Sequence, residues 1–80
     1  MDHAMQEYIS KQSTEVLWGA LQGAVVSKDS MYSNRTSIQM ILWELEKRYK
    51  DETGVVPDRV QQVWKVFLQS MSEVAADSLK

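Results

Sequence analysis

Apolar residues recur at helical spacing along most of this chain. Val60, Val63, Trp64, Phe67, Met71, Val74 and Ala75 follow one another at three- and four-residue steps. On a helix of 3.6 residues per turn that is one stripe about four turns long. Val66 falls off the stripe. Pro57 and Asp58 stand where a helix begins: proline loses nothing by lacking an N–H in a first turn, and an acid suits the positive end of the dipole. Gly54 just before them predicts the end of the preceding segment, because glycine takes the left-handed C′ conformation freely.

That preceding segment, expected over 34–53, carries Ile38, Ile41, Leu42, Leu45 and Tyr49 on one face. Ser33, Asn34 and Thr36 are candidate N-caps, and Thr36 with Gln39 has capping-box spacing. Glu44–Arg48 and Glu46–Lys50 place acid before base one turn apart, which supports a helix surface.

The N-terminal pattern admits two solutions. Met5, Tyr8, Ile9, Val16 and Ala20 share a face if one helix, straight or kinked, runs through. Leu17, Leu21 and Val25 point elsewhere, and Ser13-Thr14-Glu15 has the form of a fresh N-cap with an acid in the first turn. The alternative is therefore a helix over 2–12 and another over 14–27. Residues 28–33 are expected to be a loop anchored by Met31 and Tyr32. No segment alternates apolar and polar residues as a half-buried strand does. The expected fold is all-α, one domain over 1–80: a small three- or four-helix bundle whose last two helices form an antiparallel hairpin, because the connection between them is short.

Composition narrows the function. Eighty residues bury only a thin core. The chain has no cysteine, which removes disulfides, thiolate metal sites and cysteine nucleophiles. Its start lacks the basic-then-apolar order of a secretory leader, and no apolar run approaches the roughly 18–20 residues of a membrane span. A cytoplasmic protein is expected, with no membrane partner. Nine basic and eleven acidic residues give a net charge of -2 and no basic block. Nucleic acid is not the expected partner, since affinity for it rests largely on phosphate neutralisation.

Candidate chemistry is sparse. His3, the single histidine, lies at the chain start and reads as solvated. Glu44 with Glu46, and Asp51 with Glu52, point to different sides of a helix, so neither pair forms a carboxylate dyad. Asn34-Arg35-Thr36 matches a glycosylation acceptor but is better explained as a helix start. Gly19, Gly23 and Gly54 make no phosphate loop. The expectation is no enzyme, with no catalytic, cofactor-binding or metal residue.

Surface chemistry is more informative. Met40, Trp43 and Lys47 fall roughly opposite the apolar stripe of the 34–53 segment. Tryptophan and methionine are enriched in protein interfaces. In "LWGALQGAVV", residues 17–26, Trp18 and Val25 lie near Leu21, and Val16, Gly19, Ala20, Gly23 and Ala24 form a smooth opposite strip. A helix apolar on both sides needs cover on both, from its own chain or a second copy. The expected function is a non-enzymatic protein-interaction module, a small regulator or inhibitor acting by helix-surface binding and itself a homodimer. Its partner-binding residues are Trp43, Met40, Trp18 and Lys47, with Arg48 beside Lys47 on the rim. The alternative is a DNA-binding, helix-turn-helix-like regulator that presents Ser33, Asn34, Arg35, Thr36 and Ser37 at a helix N-terminus.

Overall fold

Ser13, Ser27 and Gly54 set where this chain turns. The computed structural model describes residues 3–78, and their regular structure is entirely helical: α1 (His3–Lys11), α2 (Thr14–Ala24), α3 (Lys28–Ser33), α4 (Arg35–Thr53) and α5 (Asp58–Ser78). The Ser13 hydroxyl accepts from the Val16 N–H at 3.2 Å and caps α2. The N-terminal region is therefore broken rather than continuous, and the break lets Ile9 and Leu17 both reach the core. The α2 helix ends at Ala24, three residues earlier than 14–27 implied.

The expected loop over 28–33 is a helix. Ser27 caps it by accepting from the Ser30 N–H at 3.1 Å, and Asp29 sits in its first turn. Six residues are too few to show a 3.6-residue period, so only the cap could have revealed α3. Met31 is buried as expected, whereas Tyr32 is exposed and carries the Arg35 guanidinium 4.3 Å over its ring. Thr36 and Gln39 do not cap α4. Its N-cap is Asn34, which makes no side-chain cap bond and instead donates from its amide to the Ser30 carbonyl at 2.8 Å. Gly54 ends α4 at φ 79°, with its N–H on the Lys50 carbonyl.

The α4 helix organises the rest, packing against α1, α2, α3 and α5. Ile38, Leu42 and Leu45 on its inner face are wholly buried, as is Val60 facing them from α5. The α5 helix also lies along α3, where Lys28 bridges Glu73 and Asp77 at 3.8 and 3.6 Å. Those pairs are about half exposed and contribute little. Phe67 and Ser70 complete the buried side of α5, while Ala75 is exposed and is not part of the apolar stripe.

Candidate functional site

Helical spacing places Thr36, Met40, Trp43 and Lys47 on one stripe of α4, at steps of four, three and four residues. Beside that stripe lies α1, and the space between the two helices is an open groove of about 380 Å³. Gln6 and Ile9 line it from α1; Thr36, Gln39, Met40, Trp43, Glu44 and Lys47 line it from α4. Ile9 closes its floor against the core. Trp43 is 52% exposed, a large apolar area to leave in water.

Two features hold the groove's walls. On the far side, Trp43 packs on Trp64 at 6.3 Å between ring centres, and Trp64 meets the buried Phe67 edge-on at 6.1 Å. The exposed indole is thus the outer end of an aromatic series reaching the core. The Trp64 indole N–H is buried with no acceptor among the described residues, a state that costs about 1–3 kcal/mol. On the near side, Arg48 ties α1 to α4. It donates to Glu44 at 2.7 Å, to the Thr14 hydroxyl at 3.2 Å, and to the Ser10 and Ile9 carbonyls at 3.1 and 3.4 Å. A cation is well placed on the open carbonyls of a helix C-terminus. Arg48 is therefore not free on the rim beside Lys47: four of its five donors are spent on its own chain.

Trp18 does not join Met40, Trp43 and Lys47. It is half-buried at the other end of α4, where its indole N–H donates to the Tyr49 hydroxyl at 3.0 Å. Arg59 donates to the same hydroxyl at 2.6 Å and stacks over Trp18 at 4.4 Å. That cluster locks α2 to the start of α5. Sequence periodicity finds both tryptophans but not their separation, because neighbouring helices decide which faces meet.

The smooth strip of α2 is open at four of its five residues, while Ala24 is half-buried against the core. Val16, Gly19, Ala20 and Gly23 are exposed, and a Cβ added at Gly19 or Gly23 meets no atom within 4 Å. No other helix of the described residues covers it. Gly19→Ala is accordingly expected to stabilise the fold by about 0.5–1 kcal/mol, the helix-propensity difference, read as a higher urea midpoint. A lower midpoint would instead mean that the strip is buried between copies.

The residues named for DNA reading are largely engaged. Arg35 donates to the Tyr32 carbonyl at 2.8 Å besides stacking on its ring, and Asn34 is tied to Ser30. A single residue, Asn34, separates α3 from α4. Among the described residues no three His, Cys, Asp or Glu side chains gather as metal ligands, and no helix is long and apolar enough to cross a membrane. No protein-family model, curated protein or solved structure matches this chain.

Proposed function

We propose that this chain is a non-enzymatic, cytoplasmic protein-interaction module, a small regulator or inhibitor that binds another protein through the α1/α4 groove. The observation that carries this reading is Trp43, half exposed beside an apolar groove although α4 already buries a full face in the core. Buried tryptophan anchors dominate many interfaces. Met40 and Ile9 supply the apolar floor, and Lys47 sits at the rim. The supporting architecture is a small bundle with α4 and α5 as an antiparallel hairpin. The contacts Tyr49–Arg59 and Trp43–Trp64, whose numbers fall on one helix as they rise on the other, support that arrangement.

Trp43→Glu tests the reading. The variant is expected to fold, with a thermal midpoint within several degrees of the parent, and to lose partner capture or self-association measured by light scattering. Unfolding would instead make Trp43 a structural member of the aromatic series, and unchanged association in a folded variant would remove the groove as an interface. Homodimerisation through the open α2 strip is the second arrangement, and it requires the opposite sign for Gly19→Ala. The DNA-binding alternative requires affinity for generic duplex DNA at low salt, where phosphate attraction is strongest.

A further inference from the structure

Among the ionic groups of the α1/α4 groove, one is left unmatched. Glu44 is held by Arg48 at 2.7 Å, with both side chains less than one-fifth exposed. Lys47 is exposed and makes no ion pair among the described residues. Gln6, Gln39 and Thr36 are neutral and pair with a partner group of either sign. The groove therefore presents an apolar floor and one uncompensated positive charge.

Its dimensions suit a helix. Thr36 to Lys47 spans about 16 Å at 1.5 Å per residue, or three turns. A volume of about 380 Å³ holds one or two side chains rather than a folded surface. A second copy meeting this face across a two-fold axis would bring the same lining, with Lys47 again and a Glu44 already neutralised. The charge needed to complement Lys47 is absent from that lining.

We infer that the groove takes an acidic amphipathic helix of another protein, which seats an apolar side chain between Ile9, Met40 and Trp43 and sets carboxylates against Lys47. This rests on the interaction reading above and specifies its partner. Docking an apolar helix face into a groove is an established recognition mode, and rim charges select among partners more than they add affinity.

The test uses the whole chain and three synthetic peptides of one helical design. Each carries leucines at i, i+4 and i+7, with the flanking positions all Glu, all Gln or all Lys. Binding is followed by NMR at the indole N–H of Trp43, identified by its loss in Trp43→Phe. The Glu peptide is expected to bind about fivefold more tightly than the Lys peptide at low salt, the scale of one exposed ion pair made or repelled, with the difference shrinking as salt is raised. Lys47→Glu, at an exposed position, is expected to reverse the order. Equal binding by all three peptides, or an order unchanged by Lys47→Glu, overturns the acidic partner and leaves the groove as an interface. No shift of the Trp43 signal with any peptide overturns both. A Trp43 shift that tracks protein concentration alone, with a doubled mass, makes a second copy the occupant and overturns the inference while the interface stands.

Discussion

Leu42→Ala is expected to lower the unfolding free energy by about 3 kcal/mol, within the roughly 2–5 kcal/mol range for buried leucines. Leu42 is wholly buried at the middle of α4, between Ile38 and Leu45, which are equally buried. The α4 helix touches each of the other four helices, so a cavity there removes packing shared across the bundle rather than at one edge. The loss is large against the total. A domain of 80 residues has a stability of roughly 4–12 kcal/mol at 0.05–0.15 kcal/mol per residue. A urea melt should show a strongly reduced midpoint with an unchanged slope, since the surface exposed on unfolding barely alters. Val66→Ala is the control: Val66 is 49% exposed on the outer face of α5, and its effect should stay within about 0.5 kcal/mol. Equal losses at the two positions would contradict the assignment of the core.

Arg48→Met has the second largest expected effect and a different character. Methionine keeps most of the aliphatic stem but removes the donors to Glu44, Thr14, Ser10 and Ile9. It also leaves the Glu44 carboxylate, 16% exposed, without its partner. Breaking a fully buried pair costs about 3–5 kcal/mol. This one keeps some contact with water, so about 2 kcal/mol is expected. Most of that should appear locally, as α1 detaching from α4. Amide exchange in α1 is then expected to accelerate about 30-fold, because each 1.4 kcal/mol is a factor of ten, while α5 changes less. Adding Glu44→Gln should recover part of the loss, since no charge is then stranded, and the double-mutant cycle isolates that coupling. Uniform acceleration across all helices would mean that Arg48 supports the whole fold and not the α1 junction. The groove depends on the same tie. Gln6 and Ile9 are α1 residues, so Arg48 is a positioning residue for any partner seated there.

The end of α4 at Gly54 was legible because its cause is local: the glycine N–H acts on a backbone carbonyl four residues away. The Ser13 cap was one of two solutions the pattern admitted, and the structure selects it; the Ser27 cap that starts α3 went unread. The inward stripe of α4 was legible too, as was the placing of Met40, Trp43 and Lys47 along one line, since a helix's faces follow from its own spacing; Met40, expected opposite the core, is instead half-buried against it. The same reasoning misplaced what depends on neighbours. Trp18 was grouped with Trp43, yet its indole is bound to Tyr49, 31 residues away. Arg48 was placed on the rim, yet its ties to Thr14, Ile9 and Ser10 span 34, 39 and 38 residues.

The amino-acid sequence by itself determined that this protein is helical, where its longer helices start and stop, and which face of each is apolar. Those properties follow from backbone hydrogen bonding and side-chain direction within a few residues. Only the tertiary structure decided that α1 lies beside the outer stripe of α4 to form a groove, that Arg48 is consumed in holding it, and that the glycine strip of α2 lies open. Several helix pairings bury similar apolar area, because burial is non-directional. The choice among them falls to specific contacts such as Arg48 on the last carbonyls of α1 and Tyr49 between Trp18 and Arg59.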